Sequence, residues 1–94
     1  MKQQYRSEMG MISDILSVTA DYGTHGTIIS VIARRANLSH YAAVDKCQKL
    51  IDFGLMISIT NGKNRNFIVT EKGIIFFQEM QKFIKIVQEI NIRF

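Results

Sequence analysis

The chain of 94 residues has no proline and no tryptophan, a single cysteine, two histidines and only eight acidic side chains. With proline missing, the ends of elements have to be read from glycine, asparagine, aspartate and capping hydroxyls. The lone Cys47 excludes an intramolecular disulfide. It falls at a core-facing position, where a thiol behaves as a small hydrophobe, and a reducing cytosol fits it. His25 and His40 have no cysteine or carboxylate at metal-ligand spacing, which argues against a metal site. No glycine-rich phosphate loop, nucleophile elbow or paired-carboxylate arrangement is present, so the expectation is a protein that is not an enzyme and uses no cofactor. Met1 to Arg6 lacks the apolar core of a signal peptide, and the most apolar stretch, Gly73 to Phe94, is interrupted by Gln78, Glu79, Lys82, Lys85 and Glu89. A cytoplasmic protein with no membrane span is therefore expected.

What the chain does have is apolar surface. At 47% hydrophobic residues it is no disordered chain, and it has more to hide than a small monomer covers easily. Twelve Lys and Arg against eight Asp and Glu give +4, a mild bias toward polyanions such as nucleic acid. No repeat or linker interrupts it, and one domain is expected, with residues 1–70 as its core and 71–94 as a C-terminal helix packed on the same unit.

A polar arm, residues 1–6, precedes a helix from about Ser7 to Ala20, with Ser7 as its cap and Met9, Ile12, Ile15, Leu16 and Thr19 on the inner side. The run Asp21 to Gly26 breaks it. Thr27-Ile28-Ile29 reads as a short strand, and Ser30 as the cap of a short helix, Val31 to Ala36, that buries Ile32 and Ala36. Asn37-Leu38-Ser39 is then a tight turn with Leu38 pointing inward. From the cap Ser39 to the stop Gly54 runs a longer helix, about residues 39–53. Ala43, Cys47, Leu50 and Ile51 recur on one side of it, and Tyr41, Ala42, Asp45, Lys46 and Lys49 fall largely on the other. Leu55 to Thr60 and Phe67 to Val69 flank a basic loop, residues 61–66, and Asn61-Gly62 signals the hairpin turn. Thr70 caps a last helix, roughly Glu71 to Asn91.

In that last helix Phe76, Met80, Phe83, Val87, Ile90 and, past its end, Phe94 step by four and three residues, which is a heptad seam, with Ile84 and other apolar residues beside it. Beyond Met80 the rest of the domain is too small to cover a helix rising ~1.5 Å per residue. A homodimer through Phe76, Met80, Phe83, Ile84, Val87, Ile90 and Phe94 is expected, with parallel and antiparallel pairing both open.

The fold class is therefore mainly α (α+β): a winged helix-turn-helix with a two-stranded wing and a long C-terminal dimerisation helix. Gly26 to Ser30, Ala36-Asn37-Leu38-Ser39, Asp52 to Leu55 and Phe67 to Gly73, in that order and spacing, resemble the small archaeal winged-helix DNA-binding proteins regarded as transcriptional regulators. The resemblance covers about residues 7–90. The group includes a dimeric, chromatin-associated type whose C-terminal helices pair as an antiparallel coiled coil. Relatives carry more lysine along the recognition helix, where this chain has Ala42, Val44 and Asp45.

The expected partner is double-stranded DNA, and the location nucleoid-associated. A major groove admits a helix and displays a readable donor and acceptor pattern. Ser39, His40, Tyr41, Ala42, Asp45 and Lys46 would face it, Tyr41 toward a thymine methyl or a phosphate and Lys46 toward a guanine edge, with Lys49 on a phosphate. Lys63, Asn64 and Arg65 of the wing would grip the minor groove or backbone, and Arg34 and Arg35 would hold phosphate or stabilise a helix end. Lys2 and Arg6 are weaker candidates. The competing reading is a winged-helix interaction module that recruits a protein partner through the apolar C-terminal helix.

Overall fold

In the computed structural model, described for residues 7–92, four helices pack about the root of one antiparallel hairpin whose tip is exposed. Helix α1 spans Glu8–Tyr22 and is followed by a single 3-10 turn, Gly23–His25. Helix α2 is Ile29–Arg35, α3 is His40–Asp52, strands β1 and β2 are Met56–Asn61 and Asn64–Val69, and α4 is Glu71–Glu89. Every cap predicted from a hydroxyl at an element start is present except one. Ser7 accepts from the Gly10 amide at 2.9 Å, Ser39 from Ala42 at 3.0 Å and Thr70 from Gly73 at 3.0 Å.

The exception is Ser30. Helix α2 begins one residue before it, with Ile28 at the cap position and no side-chain cap, so Ser30 lies inside the helix on its exposed side. The strand expected at Thr27 to Ile29 shrinks accordingly to one residue. Thr27 exchanges both backbone bonds with Phe67, at 3.1 and 2.8 Å, and Ile28 then turns directly into the helix, its carbonyl accepting from Val31 and Ile32. A β-branched run suggests extension, but Ile29 packs against the core better from a helix.

Helix ends follow a common device. At the close of α3 the Leu55 amide donates to Leu50 and the Gly54 amide to Ile51, with Gly54 at φ 77°. Asn37 (φ 58°) and Asn91 (φ 61°) play the part of Gly54 at the ends of α2 and α4, which is how a chain without proline stops its helices.

The core joins Ile15 and Leu16 of α1, Ile32 of α2, Ala43, Cys47 and Leu50 of α3, and Met56, Phe67 and Val69 of the hairpin. Thr19 is fully buried in it, and its hydroxyl donates to the Ile15 and Leu16 carbonyls. Met9, expected on the inner side of α1, is exposed, while Glu8 beside it is the residue of that turn that reaches α3. In the hairpin the pair Asn61 and Asn64 closes a two-residue turn, Gly62-Lys63, with Gly62 at φ 66°. That turn has glycine at its first central position, a connection matched to the twist of the strands. The wing tip is therefore shorter than the 61–66 loop predicted, and Arg65 and Asn66 belong to β2.

Helix α4 is locked to this frame at its first turn. Gly73 sits so close to the root of the hairpin that an added Cβ would overlap the Leu55 carbonyl oxygen, just before β1, and approach Val69 Cγ2, at the end of β2, to 2.7 Å. Along α4 Met80 and Val87 are buried, whereas Phe83, Ile86 and the residue that caps the helix, Ile90, are exposed. The seam expected from heptad spacing is thus divided, part of it covered by the chain itself.

Alanine at a helical glycine ordinarily stabilises by about 1 kcal/mol. Gly73→Ala is expected to do the opposite, lowering stability by about 2–3 kcal/mol and Tm by about 10 °C or more in a thermal melt. An unchanged or raised Tm contradicts the close packing of α4 on Leu55.

Candidate nucleic-acid interface

Helix α3 leaves one face uncovered. Tyr41 is 81% exposed, and His40, Val44, Asp45 and Gln48 lie exposed with it. Steps of four and three residues from Tyr41 to Asp45 to Gln48 put these three on one line along the helix. Ser39 is exposed at the start but its oxygen is occupied by the Ala42 amide, and Ala42 is half-buried. The outermost line of the helix therefore holds an aromatic ring, an amide and a carboxylate, and no cation.

The two lysines predicted for this face lie on its flank, toward α1. Lys46 Nζ is 3.0 Å and Lys49 Nζ 2.6 Å from the same Glu8 carboxylate oxygen, and Lys46 is also 3.4 Å from Asp45. The hydrogen bonds from Lys49 and then Lys46 hold the Glu8 carboxyl below the usual carboxylate range. Its partnership with Glu8 in turn raises the Lys46 ammonium. A lowered carboxylate contributes to stability above its ordinary titration range, and the contribution fades as acid protonates it. Glu8 has no signal in the sequence. It stands 38 and 41 residues before its partners, and only the packing of α1 across α3 brings them together. Gln48 is also missing from the face predicted, although its spacing from Tyr41 is enough to find it.

The remaining cations divide in the same way. Arg35 is 2.8 Å from Asp21 and lies over the Tyr22 ring at 5.7 Å, so it ties the end of α2 to the end of α1. Arg65 is not at the wing tip: its Nε donates to Ser58 Oγ at 3.0 Å and its guanidinium covers the Phe67 ring at 4.8 Å. Arg34 and Lys63 are exposed and carry no ion pair among the described residues, and Asn64 closes the turn beside Lys63. Lys2, Arg6 and Phe94 lie outside the described residues.

Cys47 faces the opposite way from Tyr41 and is fully buried. Burial pushes its thiol up to about 12 despite the opposing charge of Arg65. Among the described residues no group of His, Cys, Asp and Glu is arranged to hold a metal ion, and no helix is long and apolar enough to cross a membrane.

The family described as winged helix-turn-helix matches residues 5–88 of the sequence. The chain belongs to that family. Among solved structures the fold is similar to Sso10a-2, a DNA-binding protein from Sulfolobus solfataricus, with a TM-score of 0.79 at 22% identity over 92% of this chain and 86% of that one. It is similar also to the transcriptional regulator BldR from the same organism (TM-score 0.73, 21% identity), where 85% of this chain spans 58% of the other. AF1382 from Archaeoglobus fulgidus superposes with a TM-score of 0.68 at 18% identity, over 82% of this chain and 86% of that one. A search of curated proteins gave no match.

In this winged helix-turn-helix chain the inner side of α3 is sealed, which has a chemical consequence. Cys47 is expected to resist alkylation by iodoacetamide at pH 8 in the native state and to react within minutes once guanidinium unfolds the chain. Because the folded state holds the thiol protonated, stability should also decline as pH rises above 9, and equal labelling of native and unfolded protein would contradict the burial.

Proposed function

We propose that the chain is a homodimeric DNA-binding protein and a transcriptional regulator. The observation that carries this reading is the uncovered line Tyr41, Asp45 and Gln48 on a capped helix that the rest of the fold holds outward. Family membership and the likeness to a DNA-binding protein and a transcriptional regulator support it. A helix with such a face enters a major groove, where Tyr41 can touch a thymine methyl and Gln48 can pair with an adenine edge. His40 and Ser39 flank the entry. Phosphates are gripped first by Arg34 and by Lys63 at the wing tip, which carry no ion pair among the described residues, with Asn64 beside Lys63. Lys46 and Lys49 join only by exchanging Glu8 for phosphate. Arg35 and Arg65 act mainly as struts.

Fluorescence anisotropy of a labelled duplex at several salt concentrations tests the arrangement. Arg34→Ala combined with Lys63→Ala should weaken binding and flatten the salt dependence by about 0.9 for each phosphate that is no longer neutralised. Glu8→Gln should strengthen binding at low salt by about threefold or more, because it frees two lysines while removing a negative charge from the approach to DNA. If neither variant moves affinity or slope, the assignment of phosphate-binding residues fails; absence of duplex binding at low salt overturns the function itself.

Dimerisation through α4 is the second part of the proposal, and rests on Phe83, Ile86 and Ile90, which stand exposed at steps of three and four residues. Ile84 is half-buried beside them, and Phe76 is exposed nearer the domain. Sedimentation should give twice the 10.8 kDa chain mass, and Phe83→Asp should return it to one chain with its fold intact. A single-chain mass for the unaltered protein excludes the pairing.

A further inference from the structure

Along α3 the residues Tyr41, Asp45, Gln48 and Asp52 follow one another at steps of four, three and four, and all of them are exposed. The Asp45 side chain is 53% exposed, against 17% for Lys46, whose ammonium is turned to Glu8. Gln48 is held in place: its Nε2 donates to Asp52 Oδ1 at 2.9 Å. An amide nitrogen carries two N–H groups, so Gln48 keeps one donor beside its oxygen, while a carboxylate such as Asp45 offers acceptors alone. Arginine and lysine, the side chains that take guanine O6 and N7, are missing from this line.

We propose that this line reads exocyclic amino groups in the major groove, Asp45 accepting from cytosine N4 and Gln48 pairing with adenine N6 and N7, so that the strand it contacts carries no guanine at either pair. The inference rests on the DNA-binding reading above and names the duplex which that face selects. At a rise of ~1.5 Å per residue Asp45 and Gln48 stand about 4.5 Å apart along the helix, so their targets are adjacent base pairs or one pair apart. Cytosine suits a carboxylate better than adenine does. Its major-groove edge offers a donor without an acceptor beside it, whereas adenine sets N7 next to its amino group. Guanine presents two acceptors and leaves Asp45 no hydrogen to share. Gln48 has one group of each kind, the complement of adenine, and Asp52 is a positioning residue that fixes which way the amide faces. A carboxylate close to phosphates weakens binding to every duplex, and only an amino group in front of it offsets that effect.

Duplexes selected from a random pool by the full chain should carry cytosine and, within one or two pairs, adenine, and selection with Asp45→Ala should lose the preference at the cytosine alone. Replacing that cytosine by 2-pyrimidinone, which lacks the amino group, should weaken binding about tenfold in fluorescence anisotropy, but by less than about twofold with Asp45→Ala. The same replacement outside the selected motif controls for the weakened base pair. Asp45→Ala should also bind random duplexes more tightly than the unaltered chain, since a charge that repels phosphate is gone. Asp52→Ala should relax the preference for adenine, whereas Asp52→Asn, which keeps the acceptor, should retain it. Far-UV circular dichroism confirms that each variant folds. Guanine in place of the cytosine, an equal penalty for 2-pyrimidinone with and without Asp45, or an adenine preference indifferent to Asp52→Ala overturns the corresponding assignment. Duplex binding with no base preference overturns the whole code and leaves the DNA-binding reading standing; no duplex binding at low salt removes both.

Discussion

Four elements meet within a few residues, where Gly73 touches the Leu55 carbonyl. Leu55 ends the turn that stops α3 and leads into β1, while Thr70 and Gly73 end β2 and open α4. Four interactions close the junction. The Thr70 amide donates to Leu55 at 3.1 Å, the Thr70 hydroxyl to Gly54 at 2.8 Å, Lys72 to Phe53 at 3.0 Å, and the Gly73 amide to Thr70 Oγ1 at 3.0 Å. Because three of the acceptors are the carbonyls of Phe53, Gly54 and Leu55, in the turn that follows α3, the bonds that start α4 also brace the turn that ends α3. The angle of the exposed helix, the root of the wing and the direction of the C-terminal helix are therefore set together. No side chain larger than hydrogen is compatible with that approach, which is why a glycine interrupts the first turn of a helix that propensity alone would give to alanine.

The electrostatic arrangement modifies what net charge suggests. A value of +4 spread over an uncommitted surface would make the long helix a phosphate binder, but the flank lysines share one glutamate and Arg35 is paired with Asp21. Exposed ion pairs of this kind contribute little to folding stability, because water and salt screen them. Their larger effect is on direction: each holds a long, flexible side chain in one place. For a polyanion the consequence is an exchange, carboxylate for phosphate, instead of a simple capture. Binding built on exchange is weaker per lysine than binding by uncommitted cations, so on the DNA-binding reading proposed above discrimination would fall to Tyr41 and Gln48.

Sequence signals are legible wherever the physics is local. A hydroxyl three residues before a free amide, or a glycine or asparagine after an apolar run, involves atoms a few bonds apart, and Ser7, Ser39, Thr70 and Gly54 all act as their positions imply. Buried positions at helical spacing are equally legible, as in Ala43, Cys47 and Leu50. Expectation and structure part where a distant partner decides the outcome. Thr27 is extended only because Phe67 pairs with it, and Ile29 is helical because the core behind it rewards that conformation. Counting along the chain puts Arg65 at the wing tip, but strand register turns it back onto Phe67. The Glu8 ion pairs join the first turn of α1 to α3, and no window on the sequence contains both. The candidate interface is thus legible as a helix and a face, and illegible as a set of available charges.

Helix α4 poses the same problem at larger scale. Its apolar residues read as one seam, yet Met80 and Val87 are buried while Phe83, Ile86 and Ile90 remain outside. At about 100° per residue, the exposed group lies beside the buried one around the helix, not along it. A helix apolar on one stripe needs one surface; this one has two adjacent stripes and so needs two. The first is supplied by its own chain. For the second, water is an unfavourable neighbour for three large side chains in a row, each worth roughly 1.5–3 kcal/mol on burial. A second copy would satisfy it symmetrically, because in a twofold pairing the same stripe serves on both sides. The junction at Gly73 then gives such pairing its functional meaning: with α4 fixed to the end of α3, whatever fixes two α4 helices to each other also fixes the distance and angle between two exposed faces.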